Sequence, residues 1–301
     1  VTTVVALGGN ALIGRGERGT AAEQRANLRR HCEALRPLLD GPLVVTHGNG
    51  PQVGADLLRA ERAADEVPPL PLWLAVAQTQ AEIGALAALE LAAVAGSAAA
   101  CVVTHVRVDE LDPAFDAPTK PIGPFYSRDE ASRLERDRGW RLVEDAGRGW
   151  RRVVPSPRPR EIVELDSVRT LLASDVVTIA CGGGGIPVVA RSGRLDGVDA
   201  VIDKDLASAL LARALGAHRL VILTDVDAVY QDYGTPTQRE LRTLNADRAT
   251  TLLPQLAAGS MRPKLEAVTD FVQAGGGEAL ITSASALARA LDGEAGTRIE
   301  T

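Results

Sequence analysis

The chain has 301 residues, 46% hydrophobic and 24% charged, with a formal net charge of −6. That length can bury a large core, as one sizeable domain or two lobes, and the composition is ordinary for a soluble globular protein. The acidic balance excludes general nucleic-acid binding. Three unclustered cysteines (Cys32, Cys101, Cys181) and four histidines without zinc-type spacing argue against a His/Cys metal centre and for a reduced, cytoplasmic setting.

Thr3 to Leu7 is a β-branched run ending at Gly8-Gly9-Asn10. It is short, lacks a basic region and runs into glycines, so a secretory leader is not expected. A helix is expected from about Ala21 to Leu39, then a strand from Leu43 to Thr46. That strand meets His47-Gly48-Asn49-Gly50-Pro51, with Pro51 placed to open another helix. Twice, a strand runs into a Gly/Asn loop and then a helix. This is the βα unit of a parallel sheet, with its ligand side at the strand C-termini. A long Ala/Leu helix is expected from Pro71 to Val94, and more strand from Ala100 to Val108. The charge-free run Leu91 to Val106 is broken by Gly96-Ser97 and too short to span a bilayer, so no membrane partner is expected.

Asp109 to Pro159 changes character, with prolines at 113, 118, 121, 124, 155, 157 and 159 and most of the aromatics. Trp140, Trp150, Phe115, Phe125 and Tyr126 can build a small core, so the stretch reads as a subdomain inserted at a sheet edge. Lys120 lies inside it, in Pro118-Thr-Lys-Pro121.

The second half repeats the βα grammar. Val176 to Ala180 is a buried strand ending in Cys181 and the run Gly182 to Gly185. Val198, Ala200 and Ile202 read as a short strand before Asp203-Lys204-Asp205, and Leu206, Ala209, Leu210 and Ala214 then recur near helical spacing. Asp205 sits where an N-cap belongs, which leaves Lys204 in the turn beside backbone N–H groups that favour anions. Arg219 to Thr224 is a strand leading into Asp225-Val-Asp227-Ala-Val-Tyr230. Asn245 can cap a helix to Leu256. Gly259-Ser260-Met-Arg-Pro-Lys264 starts another helix, stopped by Gly275 to Gly277. Arg262, preceding Pro263, is expected to be extended. Ala279 to Thr282 gives a last internal strand and Gly296 to Ile299 an edge strand.

Of the 33 basic residues only three are lysines: Lys120, Lys204 and Lys264. A chain that uses arginine almost everywhere needs a reason for each lysine. An ammonium is a compact charge with three rotatable donors, suited to following a phosphoryl group, whereas guanidinium is a fixed fork. Glycine turns after strands let backbone N–H groups approach phosphate closely. Rival signatures fail: there is no Gly-Lys pair for a Walker loop and no protein-kinase His-Arg-Asp or Asp-Phe-Gly motif. Gly14-Arg-Gly16-Glu-Arg-Gly19 matches the dinucleotide pattern by letter only, since it does not leave a strand directly. Cys181 continues a buried strand and reads as structural, while His47 adjoins a glycine turn.

Taken in order, these motifs resemble the carbamate kinases of the amino-acid kinase fold. The resemblance rests on Val5–Leu12, His47–Gly54, Asp112–Phe115, Pro118–Tyr126, Cys181–Val188, Asp199–Ala212, Leu223–Tyr230 and Gly259–Lys264, and it covers nearly the whole chain. It implies a homodimeric three-layer α/β/α sandwich with a mainly parallel central sheet and an inserted lid subdomain, 109–160. It also implies an acceptor lobe, 1–174, and a nucleotide lobe, 175–301. The implied reaction is ATP + carbamate ⇌ ADP + carbamoyl phosphate, with Mg2+, in arginine metabolism.

By that resemblance Lys204 and Lys264 grip the transferring phosphoryl group and the ADP phosphates, Asp203 orients the lysines, and Lys120 reaches in from the lid. Gly8, Gly9, Asn10, Gly48, Asn49 and Gly50 serve the acceptor and γ-phosphate. Gly183, Gly184, Thr224, Asp225, Asp227, Tyr230, Met261 and Lys264 serve the nucleotide, and no residue is assigned to a metal. The chain departs from the family at Arg262, where glycine is expected, and at Trp73, Ala75, Ala81 and Ala85. Alternatives are a same-fold kinase of another small carboxylate or phosphonate, and a nucleotide-binding homologue without turnover.

Overall fold

The computed structural model describes residues 1–8, 12–14, 16–145, 147, 149–256 and 260–300. Its centre is an eight-stranded sheet. The strand order is Thr243–Asn245, Thr297–Glu300, Glu278–Ser283, Arg219–Thr224, Thr3–Leu7, Leu43–His47, Val177–Ile179, Ala99–Cys101. The six strands from Glu278–Ser283 to Ala99–Cys101 are parallel, and Thr297–Glu300 pairs antiparallel with Glu278–Ser283.

The alternation along each strand explains the layers. Val4, Ala6, Val44, Leu220 and Ile222 point to one face, where they pack with Val168, Leu211, Val268 and Phe271. Those partners come from helices Leu165–Ala173, Lys204–Leu215 and Met261–Gln273. Val5, Leu7, Val45, Val221 and Leu223 point the other way, onto Leu28, Ile83, Leu91 and Leu287. These belong to Ala21–Ala34, Leu72–Ala95 and Leu287–Leu291. Complete burial of side chains such as Leu7 or Phe271 contributes roughly 2 kcal/mol each. The expected α/β/α sandwich is therefore present. Helix Leu72–Ala95 is long and apolar enough to cross a membrane by length and composition, but its Val76, Ile83, Ala87 and Leu91 are buried in the protein.

Three local expectations are corrected. Ala100 to Val108 is two strands in two sheets. Ala99–Cys101 closes the main sheet, and His105–Val108 joins Ile186–Arg191, Arg194–Gly197 and Pro159–Ile162 in a second one. The break falls at Thr104, whose backbone N–H is taken by the Gln80 side chain at 2.5 Å. Val198 to Ile202 forms no ladder. Its Val198 and Val201 N–H groups go to the Pro187 and Pro155 carbonyls instead, so the segment, buried from Ala200 to Ile202, threads between elements. Arg262 is helical, in the first turn of Met261–Gln273. Proline there loses no intrahelical bond, which removes the usual reason for a helix to stop before it.

The inserted subdomain is a three-stranded antiparallel sheet, Lys120–Tyr126, Trp150–Val154 and Leu142–Glu144. Its helix, Arg128–Arg138, is capped by a reciprocal Ser127–Glu130 box. It rests on helix Gly50–Arg62 by backbone contact: a Cβ on Gly54 would lie 1.9 Å from Gly123 Cα. Arg152 sits over the Trp140 ring, 4.5 Å from its centroid.

Candidate functional site

Parallel pairing brings the C-terminal ends of Thr3–Leu7, Leu43–His47, Val177–Ile179 and Arg219–Thr224 to one edge. Three of these strands, Thr3–Leu7, Leu43–His47 and Val177–Ile179, run into the glycine-bearing loops of the sequence, and Arg219–Thr224 runs into Asp225-Val-Asp227. Gly183 and Gly184 have φ of 65° and 91°, in the left-handed region that favours glycine. Space demands glycine as well. A Cβ on Gly183 would lie 2.3 Å from Asn49 Nδ2, and one on Gly184 2.3 Å from the Ile202 carbonyl. The turn thus fits between the loop after Leu43–His47 and the segment entering helix Lys204–Leu215.

The start of that helix corrects the sequence reading. Its N-cap is Asp203, whose Oδ1 accepts the Asp205 N–H at 2.9 Å. Lys204 is therefore the first helical residue, and Asp205 is released from capping. The Asp203 Oδ2 instead accepts Lys120 Nζ at 2.5 Å, across from the inserted subdomain. Asp205 holds two lysines: Lys204 Nζ on Oδ1 at 2.5 Å and Lys264 Nζ on Oδ2 at 3.1 Å. So the three lysines, scattered over 145 positions of sequence, meet at two aspartates. Asp203, expected to orient the lysines, contacts Lys120, and Asp205 is the carboxylate that contacts Lys204 and Lys264.

The cluster is buried, with Lys204 9% and Asp205 3% exposed. Burial works against both Asp205 and Asp203, yet the adjoining ammonium groups outweigh it and hold both carboxyls below the usual range. Burial pushes the Lys204 ammonium down, Asp205 opposing. At Lys264 burial acts the same way, but Asp205 prevails and the group is raised. The three lysines stand against Asp203 and Asp205, with Asp225 also acting on Lys264, beside a helix N-terminus that favours anions. Ser208 fixes this start in place. Its hydroxyl donates to the Lys204 carbonyl at 2.6 Å and accepts from Thr46 at 2.7 Å, tying the helix to strand Leu43–His47.

His47 ends that strand, fully buried. Burial pushes its imidazole down to about 4, with the Lys204 charge adding to the shift. Nδ1 faces the Gly48 carbonyl at 3.1 Å, which assigns the proton to Nδ1 and leaves Nε2 as a lone pair. That atom is buried without a hydrogen-bond partner among the described residues. Cys181 is buried, and burial pushes its thiol up. Its N–H donates to Thr104 Oγ1, which suits a structural residue.

The other expected residues distribute as follows. Gly8 lies against the neighbouring strand end, a Cβ there falling 2.8 Å from the Leu223 carbonyl. Gly9 and Asn10 lie outside the described residues. Gly48 and Gly50 are half-buried. Asn49 is 2% exposed, its Nδ2 donating to Thr79 Oγ1 at 2.9 Å. Thr224 ends its strand, with Asp225 following. Asp227 accepts from Ser283 Oγ at 2.5 Å. Tyr230 lies 5.8 Å from Tyr233, ring centroid to centroid. Met261 shares the first turn of its helix with Lys264.

At the departures from the family, Ala81 and Ala85 are exposed on helix Leu72–Ala95 and Arg262 is exposed on its own helix. Trp73 covers Gly197, where a Cβ would meet its ring at 2.2 Å. Ala75 is buried among Val53, Val76 and Val201. Asp205 is the residue that sequence reasoning placed in the wrong role. The signal for it was the alternating Asp-Lys-Asp, which supplies one carboxylate for capping and one to spare.

The amino acid kinase family model matches residues 1–283. A carbamate kinase of Thermococcus kodakarensis is 42% identical over 308 residues, covering 98% of each chain. One of Halobacterium salinarum is 46% identical over 301 residues, covering 99% of this chain and 97% of its own. The carbamate kinase from Giardia lamblia bound to citric acid superposes with a TM-score of 0.93 at 42% identity, over 99% of this chain and 98% of that one. The same enzyme bound to AMP-PNP gives 0.90 at 42% identity, with the same coverage. The chain belongs to the amino acid kinase family and, within it, to the carbamate kinases.

Proposed function

We propose that the chain catalyses ADP + carbamoyl phosphate ⇌ ATP + carbamate, the carbamate then breaking down to ammonia and CO2. The observation that carries this is Asp205 holding Lys204 and Lys264 together at a helix N-terminus. In the ATP-forming direction a β-phosphate oxygen of ADP attacks phosphorus, and the bond from phosphorus to the carbamoyl oxygen breaks. Charge spreads over the phosphoryl oxygens in transit, and catalysis is positioning plus charge stabilisation. Lys204 and Lys264 supply the ammonium donors, and Lys120 adds a third from the lid. Both nucleophiles are already anions, so no general base is required. A neutral, buried His47 is consistent with that.

Residues 1–174 form the acceptor lobe in this reading, with Gly8, Gly9, Asn10, Gly48, Asn49 and Gly50 serving carbamate and the phosphoryl group. Residues 175–301 form the nucleotide lobe, with Gly183, Gly184, Thr224, Asp225, Asp227, Tyr230, Met261 and Lys264. Residues 109–160 act as the lid. Asp203 and Asp205 both face lysines, and no cluster of three metal-ligating side chains occurs among the described residues. Such a site suits Mg2+ that arrives on the nucleotide phosphates and keeps most of its waters, supplying further charge neutralisation when bound. A cytoplasmic homodimer acting in arginine metabolism completes the reading, on the strength of the family.

The test is substrate choice. ATP formation from ADP should be rapid with carbamoyl phosphate and at least tenfold slower with acetyl phosphate, which offers a methyl in place of the amino group. Faster turnover with acetyl phosphate would move the assignment to another small carboxylate.

A further inference from the structure

We propose that Arg158 is a positioning residue for phosphoryl transfer, setting the placement of the lid lysine relative to the helix that carries Lys264. The lid leaves its sheet through Pro155-Ser-Pro157-Arg158-Pro159, a strap stiffened by three alternating prolines. Both ends of the strap are fastened to lysine-bearing elements. The Pro155 carbonyl accepts the Val201 N–H at 2.9 Å, on the segment that enters Asp203 and Lys204. The Arg158 guanidinium reaches Glu266 through one terminal nitrogen and Asp270 Oδ2 through the other, the latter at 2.7 Å. These carboxylates stand one turn apart on a single face of Met261–Gln273, the helix whose first turn holds Lys264.

Arg158 also closes the neck of the lid. Its N–H donates to Asp112 Oδ2 at 2.9 Å, and Asp112 Oδ1 accepts the Ala114 N–H at 2.9 Å. One carboxylate thus joins the chain entering the lid to the chain leaving it. Lys120 rides on this lid and reaches Asp203, while Lys264 reaches Asp205. Arg158 is the tie between the two halves of that arrangement. Its side chain is half-exposed, and ion pairs at such positions add little to stability, so the tie serves geometry more than folding.

The inference rests on the phosphoryl-transfer reading above, so wild-type turnover of carbamoyl phosphate is measured alongside the variants. Arg158→Ala should lower kcat about tenfold to a hundredfold, the scale of a misplaced catalytic group, with KM for ADP within about threefold. Melting should shift by only a few degrees. Arg158→Lys, which reaches one carboxylate but cannot fork to both, should recover part of kcat. Glu266→Gln should lose less than Arg158→Ala, and the two together little more than Arg158→Ala alone. Amide exchange in Lys120–Tyr126 should quicken in Arg158→Ala, a readout independent of substrate identity. Wild-type turnover retained by Arg158→Ala with unchanged exchange overturns the inference, as does kcat falling only in step with melting temperature. An inactive wild-type enzyme overturns the carbamate reading instead and leaves the exchange comparison to decide this one.

Discussion

Lys264 donates to Asp205 from a different helix, 59 positions away, while the neighbouring Lys204 takes the other oxygen of the same carboxylate. Asp205 thus sets the spacing of two ammonium groups that otherwise repel. Asp205→Asn keeps the shape but loses the charge, so it should lower turnover about a hundredfold or more while nucleotide still binds. Asp205→Ala should in addition destabilise the fold by roughly 3–5 kcal/mol, since it leaves buried ammonium groups without their counter-charge. Steady-state rates and thermal melts of both variants check this. An Asn variant with near-normal kcat would show that the bridge is only structural.

Lys120 crosses from the inserted subdomain to Asp203 at 2.5 Å. In Lys120→Ala the rate of phosphoryl transfer should fall while ADP affinity, measured by calorimetry, stays within a few-fold. Loss of ADP affinity with kcat retained would make Lys120 a nucleotide ligand instead.

The subdomain sits on helix Gly50–Arg62 with glycine against glycine. Gly54→Ala forces the two backbones apart, since its Cβ would fall 1.9 Å from Gly123 Cα. The lid should lift by an ångström or more and carry Lys120 off Asp203. Turnover should drop at least tenfold, with a loss of about 1–3 kcal/mol in stability, since Val53, Ile122 and Val154 share one buried cluster across this contact. A Gly54→Ala enzyme of normal rate would show that the docked lid position is irrelevant to transfer.

His47 gives a pH signature. Its folded-state pKa is lowered from 6.5 to about 4, so between those values the unfolded chain binds more protons than the folded one. Stability is therefore fully present above about pH 6.5 and falls as pH drops through that window. The whole window amounts to about 3 kcal/mol, with about 2 kcal/mol lost by pH 5. Asp203 and Asp205, also held low, extend the loss below about pH 4. Melting temperature should fall by several degrees from pH 7 to pH 5, and His47→Gln should flatten that slope. An unchanged slope in the variant would assign the effect to other groups.

The central sheet was legible because its strands are short, continuous β-branched and apolar runs, buried on both faces, and three of them run into glycine-bearing loops. The lysines were legible for a chemical reason. In a chain that spends arginine freely, Lys120, Lys204 and Lys264 stood out, and the fold brings them together. Local propensity could not settle the helix start, because Asp203 and Asp205 are both good caps two residues apart. The choice is made by Lys120 and Lys264, which arrive from distant parts of the chain. The break at Thr104 is equally non-local, since a side chain on another element, Gln80, takes its backbone N–H. Arg262 shows a rule applied one turn too strictly, because proline is tolerated where helix N–H groups have no partner.

In the proposed mechanism a lysine ammonium at position 204, held by Asp205, stabilises the phosphoryl group in transit. The most direct test is ATP formation from ADP and carbamoyl phosphate by Lys204→Arg beside the wild type, with folding checked by circular dichroism. The variant keeps the charge and loses the compact donor, so kcat should fall by about two to three orders of magnitude, a loss of roughly 3–4 kcal/mol of transition-state stabilisation. A folded Lys204→Arg enzyme turning over at near the wild-type rate would contradict the account.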